Sequence, residues 1–300
     1  MGSKSIINFI FVNFLLAIAL PVSVLAQTSS DHIIEASSDR IIGPSQGNHR
    51  LDCTIIRPWD HDDDPGGPYP VIGWTNGWGG NNVAGANIND GYESGWYFWA
   101  ETGDYIVVAA NQWSARSPDI LQCLQWLLDE NNNELSKYYN TVIPDQIGVS
   151  GHSQGGGAAL KAGDEVLING TAYVEIKTVV AMNPYGPSFV KAKGQNGQIL
   201  LLGGDSDGVT PTASFSAVLE DSILSDNMGG VQAELVGGTH CDPVCHYTGG
   251  NFGIFGTVSL LWFDIYLKGV EPCDDLIEML EDGPGEWNTE YSPNFCPPPP

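Results

Sequence analysis

Hydrophobic residues along this chain fall into short runs separated by glycine, proline and asparagine, and between the runs the spacing turns helical. "YPVIGWTN" (69–76), "YIVVAAN" (105–111), "QIGVSG" (146–151), "KTVVAMN" (177–183), "QILLLGG" (198–204) and "AELVGG" (233–238) read as strands. "SPDILQCLQWLLDE" (117–130), the segment "GGGAALKAG" that follows Ser153, and "GTVSLLWFDIYLKG" (256–269) read as helices. Strands alternating with helices are the pattern of a mostly parallel, doubly wound α/β sheet, in which functional groups gather at the carboxyl ends of the strands. No internal repeat interrupts this order.

The ends differ from the middle. "MGSKSIINFIFVNFLLAIALPVSVLAQ" places a lysine before a long apolar core and the small-residue site "VLA" before Gln27, which is the pattern of a secretory signal peptide cut after Ala26. A membrane anchor is the competing reading, and Pro21 and the V-x-A site favour cleavage. No later stretch approaches the roughly 18 uninterrupted apolar residues of a spanning helix, so the mature chain is expected to be exported, with no membrane partner. Residues 27–42 read as a polar extension, 43–296 as one catalytic-sized α/β domain, and 297–300 as a stiff proline tail.

Charge narrows the partners. Eleven basic residues stand against 36 acidic ones, a net charge of −25, which argues against nucleic acid or an anionic surface as a partner. The acidic cluster "DHDDDPGG" (60–67) lacks the glycine and late glutamate spacing of a calcium loop and reads as a solvated turn rather than a metal site. Six cysteines in an exported chain can form disulfides. Cys273 and Cys296 would close the C-terminal segment, and Cys241 and Cys245 can pair across "CDPVC"; Cys53 and Cys123 are left over, and connectivity stays open.

Candidate chemistry starts at "IGVSGHSQGGGAALKAG" (147–163), where Ser153 lies between a strand and a helix of small residues. A serine in such a sharp turn is held in strained backbone geometry with its hydroxyl above the sheet, and the amide of Gln154 faces the same space. A serine hydroxyl needs a base and an orienting acid, and in α/β-hydrolases these follow in the order serine, acid, histidine, each after a later strand. "QILLLGG" ends in "DSDGVTP" and "AELVGG" ends in "THCDP". His240 is the candidate base, since His32, His49 and His61 precede the turn, His152 adjoins the serine, and His246 lies beyond. Position leaves both Asp205 and Asp207 as the acid.

"GGDSDGVTP" followed by "ELVGGTH" resembles the bacterial cutinases and polyester hydrolases, the α/β-hydrolase family that includes PET hydrolases. The resemblance extends over roughly residues 50–296: "GHSQGGGAAL" matches the elbow with Gln154 in place of methionine, and "MNPYGPS" a P-W segment with Tyr185 in place of tryptophan. It implies Asp207, four residues before Pro211, as the acid, with Asp205 shaping the loop. "GWTNGWG" resembles the family's G-aromatic-T loop, which implies Trp74 as the first oxyanion amide beside Gln154. Trp74, His152, Tyr185 and Val209 would then line the substrate cleft, and Cys273–Cys296 match the family's C-terminal disulfide.

The reaction implied is hydrolysis of a carboxylic ester through an acyl-enzyme, with no metal or cofactor and with an ester or polyester, possessing a flat or apolar acyl group, as the only partner of a monomer. A small-ester carboxylesterase of feruloyl or acetyl type, or a storage-polyester depolymerase, would use the same residues. An inactive hydrolase-fold binding protein would be marked by loss of a triad residue, and none is lost.

Overall fold

The computed structural model describes residues 37–46, 49–58, 67–78, 90–112, 116–164, 167–168, 171–172, 174–185, 198–211, 229–243, 252–270, 273–292 and 295–296. The signal peptide, most of the acidic turn at 60–67, Asn169 of the "NGT" sequence, Cys245, and the tail at 297–300 lie outside them.

The apolar runs are continuous because both faces of the sheet are covered. In β9 (Gln198–Gly204), Ile199 and Leu201 join the core on one face while Leu200 and Leu202 join the core on the other. β3 (Tyr69–Thr75) and β4 (Ile106–Ala110) divide the same way, Val71 against Ile72 and Val108 against Val107. Successive side chains point to opposite faces of a strand, so only a sheet packed on both sides can bury every residue of such a run.

Six strands form the parallel centre: β4, β3, β5 (Val142–His152), β8 (Thr178–Met182), β9 and β10 (Gly230–Leu235). At one edge β2 (His49–Arg57) runs antiparallel to β4 and carries β1 (Ser37–Gln46) outside it. At the other, β11 (Trp287–Tyr291) runs antiparallel to β10. A separate pair, β6 (Leu167–Ile168) and β7 (Thr171–Ala172), makes a two-stranded ladder.

α2 (Ser117–Asn131) and α3 (Gln154–Asp164) pack on the more aliphatic face. α2 starts with Pro118 in its first turn, where the missing N–H costs nothing, and buries Ile120, Leu121, Leu124 and Leu127. Cys123 of α2 is disulfide-bonded to Cys53 of β2, which ties this helix to the sheet edge. α1 (Asp90–Gly103), α4 (Gly253–Phe263, running on through a π turn at Asp264–Lys268) and α5 (Cys273–Glu281) belong to the other, aromatic face. Trp74, Trp96, Trp99, Phe252 and Phe263 meet there, with Trp74 stacked on Phe252 at a centroid distance of 4.8 Å.

The sequence reading therefore holds for the α/β class and for each of the six strands it identified, with ends shifted by a few residues. β1 begins at Ser37, inside the stretch read as a polar extension to residue 42, because an edge strand needs only one apolar face and here pairs with β2 through its backbone. The Cys273–Cys296 disulfide joins α5 to the C-terminal segment, and Cys241 is disulfide-bonded as well.

Candidate active site

β5 ends at His152 and α3 begins at Gln154, so a single residue, Ser153, makes the turn. Its φ of +55° lies in the left-handed region, which a side chain other than glycine adopts at a cost of roughly 1–3 kcal/mol. Contacts around it hold that conformation. Its N–H donates to the Met182 carbonyl at 2.9 Å, and its carbonyl accepts from the Tyr185 amide at 2.7 Å. Close packing of strand and helix explains the flanking glycines: a β-carbon on Gly151 would lie 2.2 Å from Thr75 Oγ1, and one on Gly155 would lie 2.0 Å from the Thr75 carbonyl oxygen. Thr75 Oγ1 sits between the Ser150 and Gly155 carbonyls at 3.1 and 2.6 Å.

The loops after β9 and β10 meet above this turn. Backbone contact between Gly204 and Gly238 is so close that a β-carbon on Gly204 would fall 2.3 Å from Gly238. Asp205 fastens the two loops, its Oδ1 accepting from the Gly237 amide at 2.7 Å and from Ser206 Oγ at 2.9 Å. Asp207 points the other way, into the interior. His240 Nδ1 lies 2.8 Å from Asp207 Oδ2 and its Nε2 lies 2.9 Å from Ser153 Oγ. With a carboxylate at Nδ1, that nitrogen carries the proton, and Nε2 is left to accept from the serine hydroxyl. Serine, imidazole and carboxylate thus form one line.

Asp207 receives more than the imidazole. Oδ1 accepts from the amides of Val209 and Thr210 at 2.7 and 2.8 Å, and Oδ2 from Asn183 Nδ2 and Thr210 Oγ1 at 2.6 and 2.7 Å. Burial raises the carboxyl pKa, but the donors from Asn183, Thr210 and His240 outweigh it and hold the group well below the usual carboxylate range. The carboxylate therefore stays charged beside the imidazole. Asn183 also reaches the Thr239 carbonyl, at 3.4 Å, so its amide nitrogen faces acceptors on both loops. Neither Asn183 nor Thr210 stood out in the sequence. The only signal was polar residues immediately after β8 and within "DSDGVTP".

Tyr185, on the loop after β8, and Val209, on the loop after β9, are more than half exposed, at 52% and 57%. Gln154 opens α3 beside the serine. Two expectations need correction. Trp74 is fully buried, paired through β3 with Ala109 on one side and Ser150 on the other, with Nε1 donating to Asn76 Oδ1 at 2.7 Å. It belongs to the aromatic core and lines no cleft. The loop beyond β3 approaches the serine through Gly77, where a β-carbon would sit 3.3 Å from Ser153 Cβ, and the next residue, Trp78, is 74% exposed. His152 is not a cleft wall either. It is buried, with Nδ1 2.9 Å from Tyr92 Oη and Nε2 2.8 Å from the His240 carbonyl oxygen.

Among the described residues no cluster of three or more histidine, cysteine, aspartate or glutamate side chains is arranged to hold a metal ion, and no helix is long and apolar enough to cross a membrane. Residues 102–269 match the family model described as PET hydrolase-like, whereas no curated protein matches the chain.

Proposed function

The chain belongs to the PET hydrolase-like family of α/β-hydrolases, whose members act on esters, and from that premise we propose that it is a secreted serine hydrolase that cleaves carboxylic esters, including aromatic polyesters, through an acyl-enzyme. The observation that carries the reading is the line from Ser153 Oγ through His240 to Asp207, built on a serine in the left-handed conformation. In this reading His240 Nε2 takes the hydroxyl proton as Ser153 attacks the ester carbonyl. Asp207 fixes the tautomer and stabilises the imidazolium, and His240 then returns the proton to the leaving alkoxide. Water deacylates the serine by the same route.

The oxyanion donors are the amide of Gln154, at the N-terminus of α3, and the amide of Trp78, which replaces Trp74 in this role because it follows the glycine packed on Ser153 Cβ. Losing one such donor typically costs about 3–4 kcal/mol in the barrier. Trp78, Tyr185 and Val209 are exposed apolar side chains on the loops that carry the site, and they suit a flat acyl group with a hydrophobic face. Export is supported by the N-terminal pattern and by the disulfides Cys53–Cys123 and Cys273–Cys296.

The test compares the mature chain with Ser153→Ala on amorphous aromatic-polyester film and on a soluble short-chain ester. Acid released from film by the wild type and not by the variant is the expected result. Turnover of the soluble ester alone would move the substrate to small esters, and equal behaviour of the two proteins would sink the serine mechanism.

A further inference from the structure

One buried chain of hydrogen bonds near the serine has no part in the proton transfers above. It runs from the loop after β3 to the backbone of His240. Its direction follows from what each atom can do. The His240 carbonyl can only accept, so His152 Nε2, 2.8 Å away, must carry a proton. Burial, reinforced by the neighbouring His240 ring, pushes the His152 pKa down to about 3, so the ring is neutral and Nδ1 is bare. The Tyr92 hydroxyl, 2.9 Å away and itself pushed up to about 12 by burial, therefore donates to Nδ1. Tyr92 oxygen in turn accepts the Gly77 N–H at 3.3 Å. With the ring neutral, every link has one donor and one acceptor, and no other arrangement of protons satisfies all of them.

The chain's ends matter. Gly77 lies against Ser153 Cβ and against His152 Nδ1, each 3.3 Å from where a β-carbon would stand, and that β-carbon would press on Tyr92 Oη at 2.8 Å. The other end is the peptide carbonyl of the base. The His152 and His240 rings lie 4.8 Å apart, and Tyr92 packs on Trp74 at 5.3 Å. The strut is thus anchored in the aromatic core and joins the oxyanion side of the site to the base side.

We propose that Tyr92 and His152 are positioning residues that hold the Gly77–Trp78 loop and His240 at a fixed separation, so that oxyanion donor and base form as one unit; this rests on the ester-hydrolase reading of the Ser153 site. Neither side chain takes part in bond making. Their effect is on how often the two halves of the site are in register, and it falls on kcat rather than on substrate affinity.

The experiment uses the full mature chain and a soluble short-chain ester. Tyr92→Phe removes a single oxygen and keeps the ring, and kcat is expected to fall about 10-fold with KM within about twofold of wild type. His152→Gln, which can still donate to the His240 carbonyl, retains more activity than His152→Leu. Tyr92→Phe combined with His152→Leu loses no more than the worse single variant, because one interrupted strut cannot be interrupted twice. Wild-type kcat in Tyr92→Phe, or losses that multiply in the double variant, would overturn the proposal.

Should His152→Leu fail to fold, Tyr92→Phe and the ring nitrogens of wild-type His152 still decide. Nitrogen NMR of histidine-labelled protein is expected to show a protonated Nε2 and a bare Nδ1 from pH 8 to pH 5. The opposite tautomer, or a charged ring in that range, contradicts the strut. The ring measurement needs no substrate, so a chain inert toward every ester would remove the ester reading and leave the strut to be decided by the tautomer.

Discussion

Gly73-Trp74 and Gly77-Trp78 are the same dipeptide, four residues apart, and they have opposite fates. Trp74 is in the interior of β3, without exposed surface, held by Phe252, Trp99, Trp96 and Tyr92. Trp78 lies beyond the strand end and is mostly in solvent. A second pair of look-alikes repeats the contrast. Asp205 is an exposed loop fastener, and Asp207, two residues on, is buried against His240. The tryptophans divide at the strand end, one inside β3 and one beyond it, whereas both aspartates follow β9 and divide by direction, Asp205 toward the Gly237 amide and Asp207 inward to His240. Residue type carries none of that distinction.

The aspartate pair should give the widest gap. Asp207→Asn is expected to lower kcat by about 10⁴, the usual cost of losing the tautomer lock, while Asp205→Asn stays within about tenfold of wild type. Steady-state turnover of a soluble ester measures both, and similar losses would erase the distinction. Asp207 also leaves a mark on stability. Because its folded pKa is held below the unfolded value near 3.9, the stability it contributes is complete above about pH 4 and is lost as pH falls through the folded value. Urea midpoints should therefore drop more steeply below pH 4 in wild type than in Asp207→Asn.

The tryptophan pair separates stability from activity. Trp74→Ala empties a fully buried site and should cost about 3–5 kcal/mol in denaturant unfolding. Trp78→Ala should leave the unfolding midpoint nearly unchanged and reduce kcat/KM by about tenfold, through lost contact with the acyl group. A destabilised Trp78 variant, or a Trp74 variant as stable as wild type, would reverse the assignment of core and exposed side chain.

Much of this is legible in the sequence, for local reasons. The elbow is written in "GHSQGGG", because Gly151 and Gly155 are needed wherever a helix packs this closely on a strand. The order of acid and base follows from strand ends that the apolar runs already mark. What stayed hidden depends on distant partners. Choosing between Trp74 and Trp78 requires knowing which tryptophan the core takes, and the partners of Trp74 are Tyr92, Trp96 and Trp99 of α1 and Phe252, far along the chain. α1 is absent from the helices that the apolar spacing picks out, although Tyr92, Trp96 and Trp99 recur at helical spacing. Asn183 gains its role from an aspartate 24 residues away, and nothing in "MNP" announces it.

The central claim is that Ser153 becomes acylated. Mixing the mature chain with a chromogenic short-chain ester, quenching within the first turnovers, and weighing the peptide 147–163 tests it most directly. The account predicts a product burst equal to the enzyme concentration and an acyl adduct on Ser153 that Asp207→Asn forms far more slowly. An adduct elsewhere, or steady turnover with neither burst nor adduct while deacylation is made rate-limiting at low pH, would contradict it.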